Sequence, residues 1–239
     1  MKIELFRYFK NPLYWTILGG GLSVRAVFAC LDCFHRSEQF WALSADFWNK
    51  IGSVTEGFLI LLVLIHLFSV DREKRTLPVI SSTAHGRGRL FCNRLSAGGA
   101  AAVTGIVLLT AGNAGISMWF GRGLSCPLDF SCSFFAAAVA AASGGFGFFL
   151  LSACVCDIAQ NQPAAMCICG FPFALSYFVN VDAIHPFHLA WFFRYGFFTE
   201  LTRGRIISDL PFFWLAWYPV LLTGVLLLTI KKRKERKEL

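Results

Sequence analysis

The stretch from Leu95 to Phe120 has the sequence LSAGGAAAVTGIVLLTAGNAGISMWF. It contains no Asp, Glu, Lys or Arg, and it is longer than the about 20 mainly apolar residues that a transmembrane helix needs. Small residues fill much of its first half, and such residues let helix backbones approach one another closely in lipid. We therefore predict that this stretch crosses a membrane as a helix within a bundle.

Five further apolar runs lie on both sides of this stretch. Together the predicted spans are residues 13–31, 51–70, 95–120, 132–156, 163–181 and 211–230. Charged residues make up 15% of the chain, whereas soluble domains carry about 25%. The sequence thus predicts an all-α, polytopic integral membrane protein of about six transmembrane helices, with residues 1–239 forming a single domain.

The basic residues are distributed unequally between the two sides of the predicted membrane. One side has fifteen, namely Lys2, Arg7, Lys10, Arg72, Lys74, Arg75, Arg87, Arg89, Arg94, Lys231, Lys232, Arg233, Lys234, Arg236 and Lys237. The other side has six, namely Arg36, Lys50, Arg122, Arg194, Arg203 and Arg205. Because cytoplasmic loops carry the excess of Lys and Arg, both termini are predicted to lie in the cytoplasm of a multi-pass cell-membrane protein. This rule accounts for the net charge of +8, so no nucleic-acid partner is expected.

Two segments outside the spans are predicted to lie at the membrane surface or to enter it partway. Met1 to Lys10 combines apolar residues with basic ones, which is the pattern of a helix lying in the membrane interface. Asp182 to Leu210 is too polar to span and too aromatic to extend freely into water. Since non-helical backbone is tolerated at depth only where protein covers it, we predict that this segment is re-entrant in the outer leaflet before the last span.

The nine cysteines do not predict a metal site or a cofactor. They include one C-x-x-C pair, Cys30/Cys33, and two C-x-C pairs, Cys154/Cys156 and Cys167/Cys169. No histidine accompanies them at zinc-site spacing, and cysteine in an apolar run behaves as a small hydrophobic residue. His185 and His188 lack an evident third ligand, and we interpret them as interfacial residues.

Catalytic motifs are absent from the sequence. No Gly-Lys dipeptide occurs anywhere, so the chain lacks the Walker loop that binds nucleotide phosphates. Neither H-E-x-x-H nor G-x-S-x-G is present. The sequence therefore predicts that the chain is not an enzyme and that any ATP hydrolysis belongs to a separate subunit.

The connection between the second and third predicted spans is the most informative segment outside the membrane. Residues 69–90 have the sequence SVDREKRTLPVISSTAHGRGRL, which is short, charged and interrupted by Pro and Gly. Read in order, it contains Glu73, Thr76-Leu77, Ser81-Ser82 and Arg87, with Arg94 following just before the third span.

This order resembles that of the permease subunits of type-2 ATP-binding-cassette (ABC) transporters. In that family the second span ends in an acidic residue, followed by Gly-Thr, Leu-Leu-x-Ser, an Arg and a Lys. This chain departs from the pattern at Arg75, where Gly is usual, at Ala84-His85, where Pro is usual, and at Arg94, where Lys is usual. The layout of interfacial helix, six spans and a re-entrant segment before the last span is similar as well.

The resemblance implies a permease subunit that moves its substrate by alternating access. We expect it to belong to an exporter. A separate ATP-binding ATPase subunit would drive it through a coupling loop that includes Glu73, Thr76 and Arg87. The permease would act as a homodimer or as a heterodimer with a related chain in the lipid bilayer. Two alternatives stay open, namely the substrate-capturing membrane subunit of a vitamin importer and a non-transport membrane sensor or assembly protein.

Arg25 and Glu56 are the clearest charged residues inside the predicted spans. Arg25 lies about 18 Å from the inner end of the first span and Glu56 about 21 Å from that of the second, at 1.5 Å per residue. Consecutive spans are antiparallel neighbours, and charges within a membrane usually find partners. The sequence therefore predicts an intramembrane ion pair between Arg25 and Glu56.

The topology is tested by reporter fusions, because the two sides of a membrane give opposite reporter signals. We expect cytoplasmic signals from fusions after Lys10, within Thr83–Gly88 and after Lys237. We expect signals from the outer side for fusions near Glu38, Gly123 and Thr202. A cytoplasmic signal near Thr202 would contradict the count of six spans.

Overall fold

The computed structural model describes residues 2–35, 40–73, 86–122, 124, 128–159, 162–175 and 210–234. The regular structure in these ranges is helical throughout, as the sequence predicts. The α-helices of the described ranges are α1 (Lys2–Phe9), α2 (Pro12–His35), α3 (Phe40–Phe47), α4 (Ser53–Glu73), α5 (Gly86–Phe120), α6 (Leu128–Ala159), α7 (Gln162–Leu175) and α8 (Leu210–Lys234). A π-helical segment, Trp48–Gly52, joins α3 to α4.

Four of these helices are long and apolar enough to cross a membrane, which is the character of a membrane protein. The qualifying stretches are Pro12–Phe34 of α2, Leu90–Phe120 of α5, Phe134–Ala159 of α6 and Trp214–Lys231 of α8. They overlap the predicted spans at 13–31, 95–120, 132–156 and 211–230.

The other two predicted spans are covered only in part. The span at 51–70 begins in the π-helical segment and continues in α4, whose apolar stretch is Ser53–Ile65. The span at 163–181 overlaps α7, but its residues 176–181 lie outside the described part of the chain. So do residues 182–209 of the predicted re-entrant segment. The count of six spans and the re-entrant segment stay predictions.

The turn between α1 and α2 follows from two residues of the sequence. The side-chain oxygen of Asn11 accepts a hydrogen bond from the backbone N–H of Leu13 at 3.1 Å, which caps the first turn of α2. Pro12 occupies the first helical position, where its missing N–H costs nothing. The turn brings α1 against α5 and buries Tyr8, which is 3% exposed.

α5 is the central helix of the bundle. It packs against α1, α2, α4, α6 and α8. Half of its membrane-spanning window, 50%, is buried inside the protein, compared with 17% for α2 and 6% for α8. α2 and α8 therefore expose most of their apolar surface, and large apolar side chains such as Phe135 of α6, Phe171 of α7 and Leu215 of α8 are exposed. Such a surface suits hydrocarbon, because lipid tails are as apolar as leucine.

Small residues allow the close packing of α5 against α4 and α6. Ala101 and Ala102 of α5 and Ala141 of α6 are fully buried. A Cβ atom at Gly105 would collide with Leu59 of α4 and would lie 2.9 Å from the Tyr14 hydroxyl of α2. That hydroxyl donates a hydrogen bond to the carbonyl of Ala101 at 3.0 Å. The predicted close approach of small residues thus serves contacts within one bundle.

Two alanine substitutions on α5 are expected to act in opposite directions. Gly105→Ala should lower the stability by about 1–3 kcal/mol, because Leu59 and Tyr14 are buried and overpacking forces them to shift. Gly115→Ala should not lower it, because nothing lies within 4 Å of a Cβ there and alanine favours the helix. The measurement is the midpoint temperature of thermal unfolding in detergent. Equal midpoints for the two variants would contradict the close packing at Gly105.

Candidate polar site in the bundle

A cluster of polar side chains lies buried where α2, α3 and α5 meet. Its members are Arg25 of α2, Ser44 of α3, and Asn113 and Ser117 of α5. Each is at most 2% exposed. Asn113 and Ser117 are one helical turn apart and so lie on the same face of α5. We call this group the Arg25 cluster.

The guanidinium of Arg25 organises the cluster. Its Nε donates a hydrogen bond to Oδ1 of Asn113 at 2.7 Å. Its Nη2 donates to the hydroxyls of Ser44 at 2.6 Å and Ser117 at 3.0 Å. The two hydroxyls are themselves 2.8 Å apart and hydrogen-bonded. One cation thus links three helices, and the guanidinium lies 5.3 Å from the centre of the Phe47 ring.

Among the described residues, every hydrogen-bond acceptor of Arg25 is uncharged, which makes the cluster electrostatically unusual. Asp32 lies seven residues further along α2 and is not one of these acceptors. The second terminal nitrogen, Nη1, is buried and has no hydrogen-bond partner among the residues that the structure describes. Burying a cation without an anion in contact is costly. The cluster therefore has an N–H group available for a polar group that enters the bundle.

Glu56 does not take part in this cluster. Its side chain is fully buried, and within the described part of the chain neither carboxyl oxygen has a hydrogen-bond partner. The structure therefore shows no hydrogen bond between Glu56 and Arg25, and the ion pair between them stays a prediction. The depths of the two residues bring them into the same bundle, but Arg25 bonds to α3 and α5 rather than to α4.

The π-helical segment separates Glu56 from the Arg25 cluster along the chain. It follows Ser44 by one turn and ends just before α4. A Cβ at Gly52 would lie 2.5 Å from the ring of Trp48, so glycine allows this ring to pack against its own helix. Single π-helical turns are frequent at functional sites. Here the π-helical turn lies along the chain between Ser44, which contacts the buried Arg25, and the buried Glu56.

The residues predicted for the coupling loop lie at the ends of two helices. Glu73 is the last residue of α4, and Arg87 is the second residue of α5. Thr76 lies outside the described residues. The structure thus places Glu73 and Arg87 on either side of residues 74–85, far along the chain from the Arg25 cluster.

Sequence reasoning missed the partners of Arg25. Ser44 falls in a segment predicted to be an outer loop, whereas the structure places it in α3. Asn113 and Ser117 lie within the apolar third span. The sequence signal for Asn113 and Ser117 is the four-residue spacing of two polar side chains in an otherwise apolar helix. They lie at the end of this helix opposite the predicted coupling loop.

Within the described ranges, no group of three His, Cys, Asp or Glu residues is placed to hold a metal ion. Cys30 and Cys33 are both half-buried on α2. The thiol of Cys33 donates to the carbonyl of Phe120 at 3.3 Å, which connects the ends of α2 and α5.

Comparisons with protein-family models, curated proteins and solved structures give no match for this chain.

Two double-mutant cycles distinguish the observed partner of Arg25 from the one predicted from sequence. We expect Arg25→Leu and Asn113→Leu to be coupled by about 1–3 kcal/mol, since hydrogen bonds to charged groups contribute that much. We expect Arg25→Leu and Glu56→Leu to be additive, since the structure shows no hydrogen bond between the two side chains. The measurement is the free energy of unfolding in detergent for all five variants and the native chain.

Rescue of folding by Leu at both Arg25 and Glu56 would contradict this assignment and would support the ion pair. Additive losses for Arg25 and Asn113 would show that their hydrogen bond contributes nothing to stability.

Proposed function

We propose that this chain is the membrane-spanning permease subunit of an ABC exporter, driven by a separate ATPase subunit. In this proposal both termini and residues 74–85 face the cytoplasm of a multi-pass cell-membrane protein. Two copies, or one copy with a related chain, enclose the pathway. The substrate crosses by alternating access, and the ATPase acts through the loop that Glu73, Thr76 and Arg87 belong to.

The observation that carries the proposal is the position of α5. This helix begins at Gly86 and so carries Arg87 of the proposed coupling loop, and it contacts five other helices of the bundle. Its 35 residues correspond to about 52 Å at 1.5 Å per residue, whereas the hydrocarbon core is about 30 Å thick. A displacement of the loop would therefore be transmitted to the centre of the bundle through one continuous helix.

The N-terminal helix supports the same arrangement. α1 packs against α5 and has its Tyr8 buried, while Phe6 and Arg7 are exposed. Lys10 places its ammonium 4.6 Å from the centre of the Phe6 ring. An apolar side toward the bundle, with exposed aromatic and basic groups, suits the boundary between anionic headgroups and hydrocarbon. α1 would thus anchor the helix that carries the loop.

The Arg25 cluster would lie at the opposite end of α5 from the loop. Asn113 is 27 residues beyond Gly86, which corresponds to about 40 Å along the helix axis. In an exporter this places the cluster near the outer side of the membrane. There it would hold α2, α3 and α5 together in the state that the structure represents.

The proposal predicts a specific loss when both charges at the ends of the loop are removed. The chain purified alone should hydrolyse no ATP, and it should co-purify with an ATPase encoded beside it. Glu73→Gln with Arg87→Gln should lower substrate-coupled ATP turnover of that complex while membrane insertion is preserved. The control is Glu235→Gln with Lys237→Gln, which likewise removes one negative and one positive charge, but near the C-terminus.

Equal turnover in the loop variant and the control would contradict the assignment of the coupling loop. Failure to co-purify with any ATPase, combined with tight binding of a small ligand by the chain alone, would instead support the importer alternative.

A further inference from the structure

The Arg25 cluster holds a positive charge to which no carboxylate is hydrogen-bonded among the described residues. Arg25 is 1% exposed, and its hydrogen bonds go to the neutral side chains of Asn113, Ser44 and Ser117. The Phe47 ring, 5.3 Å from the guanidinium, attracts the cation but does not neutralise it. An unpaired charge inside an apolar bundle is costly, so this cluster favours the binding of a negative charge.

The nearby carboxylates do not supply that charge in the described part of the chain. Both oxygens of Glu56 are without a hydrogen-bond partner there. Asp32 lies about 10 Å further along the axis of α2 and is not an acceptor of Arg25. A counter-charge for Arg25 can therefore be an ion taken from solution.

The terminal nitrogen Nη1 provides the donor for such an ion. Each terminal nitrogen of a guanidinium carries two hydrogens, and Nε carries one. The observed hydrogen bonds use the hydrogen on Nε and both hydrogens on Nη2. Nη1 is buried and has no partner among the residues that the structure describes. Both of its N–H groups are therefore available to an anion.

The two serine hydroxyls add a further donor beside the guanidinium. Both oxygens lie within 3.0 Å of Nη2, and they are hydrogen-bonded to each other at 2.8 Å. This mutual bond uses the hydrogen of only one hydroxyl. Within the described ranges, the hydrogen of the other has no acceptor. One hydroxyl of the Ser44 and Ser117 pair can therefore donate to the same anion as Nη1.

We propose that the Arg25 cluster binds one small monovalent anion of the halide class, with chloride as the ion that solution supplies. Carboxylates and phosphates bind arginine most strongly through two adjacent nitrogens at once. Here Nε and Nη2 are already occupied, so this two-nitrogen contact is closed and Nη1 alone remains. A spherical ion needs no such contact, since it accepts hydrogen bonds from any direction.

Charge balance also favours a monovalent ion. One chloride beside one guanidinium makes the buried pair neutral, whereas a divalent anion would leave an unpaired negative charge in the bundle. Because Arg25 links α2, α3 and α5, the bound ion would stabilise the contact among these three helices. The inference concerns binding alone and does not depend on the proposed transport function.

The test is the binding of radioactive chloride to the full chain, purified in detergent with gluconate as the buffer anion. The native chain should bind one equivalent, and bromide should displace it whereas acetate should not. Arg25→Gln should lower the affinity by about tenfold or more, since one hydrogen bond to a charged group contributes that much. The matched control is Arg122→Gln, which removes an exposed arginine that lies 4.1 Å from the ring centre of Trp119. This control should bind chloride as the native chain does.

Three results would overturn the site. They are the absence of saturable binding by the native chain, equal binding by Arg25→Gln and the native chain, and displacement of chloride by acetate. The last result would show that the site takes a carboxylate and not a halide.

Anomalous diffraction from crystals of the native chain grown in bromide provides a readout that needs no variant, should Arg25→Gln fail to fold. A bromide peak beside Nη1 of Arg25 supports the site. Bromide peaks at exposed arginines such as Arg122 alone would overturn it.

Discussion

The close packing of α5 against its neighbours is the constraint on which the rest of the structure depends. In lipid, helices gain nothing from burying apolar surface against each other, so association relies on close van der Waals contact and on interhelical hydrogen bonds. Gly105 supplies the first by admitting Leu59 and Tyr14. The Tyr14 hydroxyl supplies the second through its bond to Ala101. A bulkier residue at position 105 would disturb both at once.

The same packing explains how Arg25 is accommodated. A guanidinium in an apolar bundle needs acceptors, and acceptors must come from helices that are held close to it. α5 presents Asn113 and Ser117 on one face, and α3 adds Ser44. The Arg25 guanidinium therefore donates three hydrogen bonds, and all three go to uncharged oxygens. Because Nη1 lacks a partner, the cluster holds the helices together without being fully satisfied.

The sequence predicts helix type and membrane character well, because both depend on local composition. The stretch at Leu95–Phe120 is apolar over its whole length, and its helix is found where it is predicted. The hydrogen-bond partners of Arg25, which the sequence does not predict, show the limit. Counting residues gives the depth of each charge in the membrane, but the direction in which a side chain points depends on how α2 is rotated against α3 and α5. That rotation is set by packing between helices distant in sequence, which no local pattern records.

The cysteines also show that the sequence does not record which helix faces meet. C-x-C pairs in apolar runs are explained by hydrophobic packing alone, and the sequence therefore predicts no site there. Only the packing of α6 against α7 brings one cysteine from each pair to a common cavity. The difference between Cys154 and Cys156, or between Cys167 and Cys169, lies in the helix face and not in the motif.

α4 connects these separate features along one continuous helix. It begins after the π-helical segment that follows Ser44 and carries Glu56 in its first turn. Its middle residues line the small cavity that Cys156 and Cys169 also border, and it ends at Glu73. A helix of 21 residues moves as a rigid element over its length of about 32 Å. Under the proposed function, a displacement at Glu73 would therefore be felt at the cavity and at Glu56. Under the same proposal, the π-helical segment at the far end of α4 would absorb the movement, in keeping with the frequent occurrence of π-helical turns at functional sites.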